Sequence, residues 1–472
     1  MPPEARHTSA AFVQPFVDEG LGNSAYLIGS RDAKVAAVID PLRDVDRYLE
    51  AAARLGVKIA YVLDTHLHND FVSGAREIAA RTSAVVGASA EAGLEFDHKP
   101  LKEGDRLSLG GVSLGVLATP GHTPEHVAYT VEETPGSPIA VFTGGALIVG
   151  GAARTDLLGD EMTEPLARKL YHTIHDRLLN LPDATAVLPT HGAGSFCAAP
   201  AWNERTTTIG LERTRNPLCR AASEDAFVRA ALDGLGSFPA YFGKLRPVNR
   251  EGPSILHDLP RPKALTAAEV QQWVQEGGVV LDIRPPLQFV AGHIPGAYGI
   301  WVGANLTTWA GWLLPFREPL VLVGSSPGEM EEAVRQLVRI GFDDLRGHLA
   351  GGMDAWKAAG HPVETVPVMT ARELREKIIG GSRPFVLDVR QDGEWADGHI
   401  PGAVHIENGR LPWDELDLPK DRPIVVHCGS QNRSTAGISV LARRGYRNLV
   451  LLRGGFSGWA QSGFEIDEGP SR

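Results

Sequence analysis

Cysteine is scarce in this chain: Cys197, Cys219 and Cys428 are its three among 472 residues. Three thiols cannot build a disulfide framework, which excludes the small stapled extracellular folds and suits a reducing cytoplasm. Long apolar runs are missing too. No stretch approaches the roughly 20 residues that a bilayer-crossing helix needs, so no membrane partner is expected. Met1 to Ala11 lacks the apolar segment of a secretory signal. Positive charge is in deficit. The formal net charge is -11, which argues against a nucleic-acid partner while leaving room for a local cationic pocket. What is present, 43% hydrophobic and 22% charged residues, describes a globular protein, and the length suggests about three domains.

The first half is organised around Asp64-Thr65-His66-Leu67-His68-Asn69-Asp70. It follows an apolar run, Ile59 to Leu63, that reads as a buried strand, and precedes helical spacing from Phe71 to Arg81. In an extended segment alternate side chains share a face, so His66, His68 and Asp70 are expected to enter one pocket. Imidazole and carboxylate at this spacing suit a transition metal. Upstream, Tyr26 to Ile28 and Val35 to Ile39 read as paired strands, and Val45 to Leu55 as an amphipathic helix closed by Gly56. Downstream, strands over Val112–Ala118, Ile139–Phe142 and Ala186–Leu188 end in Pro120-Gly121-His122, Thr143-Gly144-Gly145 and Pro189-Thr190-His191. Four strand ends carrying polar groups predict an αββα sandwich with a site along its sheet edges.

Thr65-His66-x-His68-x-Asp70, Pro120-Gly121-His122 and Arg154-Thr155-Asp156 resemble the metallo-β-lactamase superfamily, over about half of the chain. Within it the pattern looks like the persulfide dioxygenases rather than the hydrolases. Hydrolases such as glyoxalase II carry a His after the motif Asp that helps to hold a second zinc; here that residue is Phe71. The resemblance therefore implies one Fe(2+) per chain, with zinc as the alternative. One departure stands out. The family's Thr-Gly-Asp is Thr143-Gly144-Gly145 here, so the iron carboxylate of the dioxygenases is missing, while their two histidines map onto His66 and His122. Three outcomes follow: His68 is the third ligand, Asp70 or Asp156 swings in, or metal is held weakly or not at all. The reading favoured is His66, His68 and His122, because neutral imidazoles leave the metal's full charge for an anionic persulfide sulfur. His191 is expected to orient substrate or hydrogen-bond a ligand. His126 reads as a surface or core histidine, Cys197 as a pocket thiol or a structural one, and Cys219 as structural.

Residues 246–263, rich in proline and charge, read as a linker between a domain over 1–250 and an internal repeat. Thr266-x-x-Glu269 and Thr370-x-x-Glu373 are capping boxes. Leu281 to Arg284 matches Leu387 to Arg390, and Gly292-His293-Ile294-Pro295-Gly296-Ala297 matches Gly398-His399-Ile400-Pro401-Gly402-Ala403. Strands alternating with helices predict a parallel α/β sheet in each copy, over 264–364 and 368–470. Both copies resemble rhodanese domains. The second carries Cys428-Gly429-Ser430-Gln431-Asn432-Arg433-Ser434 after its fourth strand; the first has Gly324 in place of the cysteine and no equivalent of Arg433. A short loop before a helix starting near Ser434 turns backbone N–H groups inward, and the helix N-terminus and Arg433 add positive charge; each favours the attacking thiolate. Gly429, Ser430, Gln431, Asn432 and Ser434 would then line the persulfide-binding loop around Cys428. A phosphatase-like loop is the local rival, against which the flanking Gly-His-Ile-Pro-Gly-Ala speaks.

The combined resemblance implies an enzyme that oxidises a low-molecular-weight persulfide with O₂ to sulfite and moves sulfane sulfur through Cys428, forming thiosulfate in sulfide detoxification. A homo-oligomer is expected. The other readings are a zinc thioester hydrolase fused to rhodanese, and a rhodanese whose front domain is not catalytic.

Overall fold

The computed structural model describes residues 11–198, 202–233, 235–303, 305–382 and 384–469; the expectation for Met1 to Ala11 lies, but for Ala11, outside them. Two compact units are present. One is the chain as far as Leu259 together with Val338–Gly341; the other is Pro260–Leu337 and Phe342 onward.

In the first unit, β1 (Ala11–Asp18), β2 (Asn23–Ser30), β3 (Val35–Ile39), β4 (Lys58–Leu63), β5 (Val85–Ser89) and β6 (Lys99–Leu101) form one sheet in that order. The second sheet has the order β12-β11-β10-β9-β8-β7, from β7 (Arg106–Ser108), β8 (Ser113–Ala118), β9 (Val127–Thr134), β10 (Ser137–Gly144), β11 (Ala186–Pro189) and β12 (Thr207–Thr208). Ile28, Leu63, Leu114, Tyr129 and Phe142 fill the space between the sheets. Tyr48 and Ile78, from helices Asp46–Leu55 and Ala75–Thr82, seal the outer face of the first sheet. Leu170 and Phe227, from Asp160–Asp176 and Glu224–Leu232, seal the second. This is the αββα sandwich. Apolar residues on both faces of β3 and β4 match a sheet covered on both sides.

Two local expectations change. The helix read from Phe71 begins at Ala75, because Ser73 Oγ is held by Asp64 at 2.7 Å and the Ser73 amide by Asn249 at 2.9 Å, which keeps Phe71 to Gly74 out of helical geometry. The linker read from residue 246 is helical up to Glu251, in Phe242–Glu251. Asn249 on that helix donates to the His68 and Phe71 carbonyls, both at 2.8 Å. Arg246 pairs with buried Glu125 at 2.8 and 3.0 Å.

The second unit repeats one design. β13 (Lys263–Leu265), β14 (Val279–Asp282), β15 (Tyr298–Gly299), β16 (Leu320–Val323) and β17 (Leu345–Leu349) make a parallel sheet of order β13-β17-β16-β14-β15. β18 (Val368–Met369), β19 (Phe385–Asp388), β20 (Val404–His405), β21 (Ile424–His427) and β22 (Leu449–Leu452) repeat that order as β18-β22-β21-β19-β20. Both capping boxes form, each threonine accepting from the amide of its glutamate at 3.3 Å. The copies pack on each other. Helix Asn432–Arg443 meets Pro286–Ala291, Leu306–Leu313 and β15 of the first copy. Arg443 donates to the Gly296 carbonyl at 2.5 Å and lies over the Tyr298 ring at 4.5 Å. The Trp312 indole lies so close to Gly409 that a Cβ there would come within 2.0 Å of it. No described helix in either unit is long and apolar enough to cross a membrane.

Candidate active sites

In the first unit the strand ends converge as the patterning predicts, although Asp64 to Gly74 is irregular loop rather than extended chain. His66 and His68 ring centroids lie 4.2 Å apart, and His66 and His122 4.8 Å. Hydrogen bonds set the tautomers. Thr65 Oγ1 donates to Asp40 at 2.8 Å, so it accepts the proton of His66 Nδ1 at 2.9 Å. Asn23 donates its amide to Asp70 at 2.6 Å and with its oxygen accepts from His191 Nδ1 at 3.0 Å. His122 Nδ1 donates to the Arg154 carbonyl at 2.6 Å. Each ring thus presents a bare Nε2. His66 and His191 Nε2 face each other at 3.4 Å, and His122 Nε2 is buried with no partner.

Two lone pairs opposed at that distance repel unless a cation lies between them. Ligand nitrogens of a tetrahedral site with metal bonds of about 2.0–2.1 Å are roughly 3.3–3.4 Å apart, so the cluster fits a metal. His66, His68 and His191 offer ligand atoms within 4.8 Å of one another, as do His122, His191 and Cys197. His191, placed by the sequence reading in a supporting role, belongs to both groups. Burial, reinforced by the neighbouring imidazoles, drives His66 well below the usual histidine range. Burial likewise holds His122 and His191 at about 3. All three rings are therefore neutral, as ligands must be.

His68 differs. Burial pulls its pKa down, but Asp40, 3.2 Å from Nε2, outweighs that and raises it. Its Nδ1 is buried and unpartnered, and its ring stacks on Phe71 at 4.1 Å. Phe71 thus occupies the place of the hydrolase histidine as a packing surface. His126 is a satisfied core residue: Nδ1 bonds Thr119 at 2.8 Å and Nε2 accepts from the Gly145 amide at 3.0 Å. Both Asp156 oxygens are taken by Arg154, at 2.6 and 2.7 Å; that pairing removes Asp156 from the candidate ligands. Asp70 Oδ1 is buried without a partner. A Cβ added to Gly145 would stand 2.6 Å from His122 Cδ2 and 2.9 Å from the Ala153 methyl, so the space for the family's carboxylate is filled.

The sequence reading missed Asp40, which accepts from Thr65 N and Oγ1, His68 and Thr190. Burial raises its pKa, yet the His68 charge and these bonds hold it below the usual value. Its position at the close of an apolar strand, before Pro41, was the available signal.

In the second unit, Cys428 lies at the end of β21, buried, with Sγ 3.5 Å from Ser434 Oγ. The following helix starts at Asn432, two residues before the sequence reading placed it, leaving Cys428 to Gln431 as the loop. Ser434 Oγ donates to the Gln431 carbonyl at 3.1 Å. The Phe456 and Ser457 amides hold the Cys428 and Gly429 carbonyls at 2.7 and 3.0 Å, and a Cβ on Gly455 (φ 56°) would stand 2.3 Å from the Cys428 oxygen. That close approach requires glycine. Arg433 is bound by both oxygens of Glu394, one at 2.7 Å. In the first copy Glu329 stands where Arg433 does in the second, and its carboxylate accepts the Ser325 amide at 2.9 Å. In the corresponding loop a carboxylate of the chain itself takes one backbone amide.

The fold and the two sites define a metallo-β-lactamase-type domain joined to a tandem of rhodanese-like domains. The metallo-beta-lactamase superfamily model matches residues 18–191, and the rhodanese-like domain model matches 266–359 and 370–462. The chain belongs to the metallo-beta-lactamase superfamily and carries two rhodanese-like domains. It is 30% identical over 206 residues to the mitochondrial persulfide dioxygenase ETHE1 of Mus musculus, covering 42% of this chain and 72% of the relative. It is 33% identical over 218 residues to hydroxyacylglutathione hydrolase of Pseudomonas putida, covering 42% and 83%. Among solved structures, a metallo-beta-lactamase from Staphylococcus aureus aligns with TM-score 0.64 and 27% identity, covering 72% of this chain and 99% of that one.

Proposed function

We propose that the chain is a mononuclear non-haem iron persulfide dioxygenase coupled to a sulfurtransferase. The observation that carries the reading is the cluster of bare Nε2 atoms on His66, His122 and His191, set beside Phe71 where a dinuclear hydrolase has a ligand. These three rings would hold the metal, while Asp40 holds His68 Nε2, and bound Fe(2+) would supply O₂ activation at its open positions. The chain's own part is to keep His66, His122 and His191 neutral by burial and oriented through Thr65, Asn23 and the Arg154 carbonyl. A persulfide, O₂ and one water become thiol, sulfite and two protons. Cys428 carries the sulfane sulfur: a donor persulfide passes its outer sulfur to the thiolate and leaves as thiol. Sulfite then attacks that sulfur and departs as thiosulfate, returning the thiolate. Arg433 and the helix N-terminus place positive charge around the transferred sulfur.

An oxygen electrode with glutathione persulfide, coupled to sulfite and thiosulfate assays, tests this. Oxygen uptake is expected in the iron-loaded protein and in Cys428→Ser, which should form sulfite but no thiosulfate. His122→Ala should take up no O₂. Absence of uptake by iron-loaded wild type would end the dioxygenase half; thiosulfate formation by Cys428→Ser would end the role of Cys428. Hydrolysis of a thioester with two zinc ions bound would favour the hydrolase reading instead.

A further inference from the structure

We propose that Cys197 supplies the anionic metal ligand which Gly145 leaves unprovided, completing a histidine–thiolate site with His122 and His191. The proposal rests on the preceding reading only in that the domain binds a metal. Cys197 is 1% exposed, and its Sγ lies within 4.8 Å of ligand nitrogens of both His122 and His191. The second, independent mark is His122 Nε2, buried in the same group with no hydrogen-bond partner. The segment is held in place. The Cys197 amide is bonded by Ser195 Oγ at 3.2 Å, and its carbonyl accepts from the Arg154 amide at 2.8 Å. Arg154 is also the residue whose carbonyl orients His122. One residue thus registers both ligands.

Charge gives the physical reason. Imidazoles alone would leave a dipositive ion in a site walled by buried side chains. One thiolate brings the site to the net charge that two histidines and a carboxylate would give, and a coordinating thiol ionises on binding. Metal–sulfur and metal–nitrogen bonds of about 2.3 and 2.05 Å put S and N roughly 3.6 Å apart in a tetrahedral site, so no pair in the group need close by more than about an ångström. Asp70 is the rival anion. Its Oδ1 is buried without a partner, but Oδ2 is committed to Asn23 and the residue joins neither close group. As the S–metal bond forms the S–H bond breaks, and the proton leaves to the buffer.

Anaerobic titration of the metal-free full-length protein with Co(2+) tests this. A thiolate-to-cobalt charge-transfer band is expected in wild type, Cys219→Ser and Cys428→Ser. Cys197→Ser should lose the band and bind Co(2+) at least about tenfold more weakly, with its metal-free melting transition intact. X-ray absorption on the cobalt-loaded Cys219→Ser/Cys428→Ser protein should show one sulfur near 2.3 Å, a readout that needs no change at Cys197. Cobalt bound without the band or the sulfur scatterer would overturn the Cys197 assignment and leave the metal reading standing. No cobalt binding at all would overturn both.

Discussion

Aspartate placed at position 145, the residue the superfamily pattern has there, should weaken the metal site of this chain. The new Cβ would lie 2.6 Å from His122 Cδ2, 3.0 Å from its Cγ and 2.9 Å from the Ala153 methyl, where carbon atoms pack at about 3.5–4.0 Å. Backbone geometry does not forbid the change, since Gly145 is not among the positive-φ residues; the obstacle is space. Relieving it by overpacking costs about 1–3 kcal/mol. Moving His122 also gives up its 2.6 Å bond to the Arg154 carbonyl, about 0.5–1.5 kcal/mol more. The total, about 2–4 kcal/mol, corresponds to a fall of roughly 5–15 °C in the midpoint of a domain this size. Calorimetry of the metal-free protein measures that fall. Metal titration should show affinity reduced about 10–100-fold, the usual effect of displacing a ligand's support. Gly145→Ala should lose similar stability without adding charge, and adding Ala153→Gly should recover part of it. An unchanged midpoint together with tighter metal binding in Gly145→Asp would refute the steric argument.

The remaining predictions concern the second unit. Glu394→Gln should free Arg433 for anionic acceptors, lowering the KM for sulfite about threefold to tenfold in a thiosulfate-forming assay; a raised KM would mean that Glu394 serves to position the guanidinium. Burial raises the Asp388 pKa, but His427 and Arg390 outweigh it and hold it below the usual carboxylate value. A carboxylate with a lowered folded-state pKa contributes stability above its unfolded pKa of about 3.9 and loses it as pH falls through the folded value. The unfolding penalty of Asp388→Asn, followed by denaturant titration, should therefore be largest near pH 7 and shrink below about pH 4. Asp282, whose copy has Val323 in place of His427, keeps a raised pKa because burial outweighs Arg284, so Asp282→Asn should not show that loss of penalty on acidification. Gly324→Cys alone should gain no sulfurtransfer, because Glu329 stands in place of an arginine and still takes the Ser325 amide; measurable activity in that single variant would contradict this.

The repeat was legible because each device that builds it is local: a capping box, a buried four-residue strand, a glycine pair. The loop around Cys428 was legible for the same reason. The place of His191 was not, because its ring meets His66 only when the chain after β11 bridges Asn23 of the other sheet, and no spacing within either motif encodes that contact. Residues 246–251 read as a linker because Pro247 and neighbouring charges are poor helix signals. Arg246 and Asn249 override them by bonding Glu125 and the loop carbonyls, tertiary partners that propensity does not see. The filled space at Gly145 was also out of reach, since the missing carboxylate could be read from the sequence but not the ring that stands in its place.

The first rhodanese-like copy has no nucleophile, yet its helices lie along the back of the helix that begins beside Cys428. Trimming the protein to its cysteine-bearing C-terminal module would strip that backing and leave Gly409, shaped to receive the Trp312 indole, facing water. A copy without the cysteine can thus serve as a buttress, and the last module cut from this chain would need a polar resurfacing of Asn432–Arg443 to stay in solution.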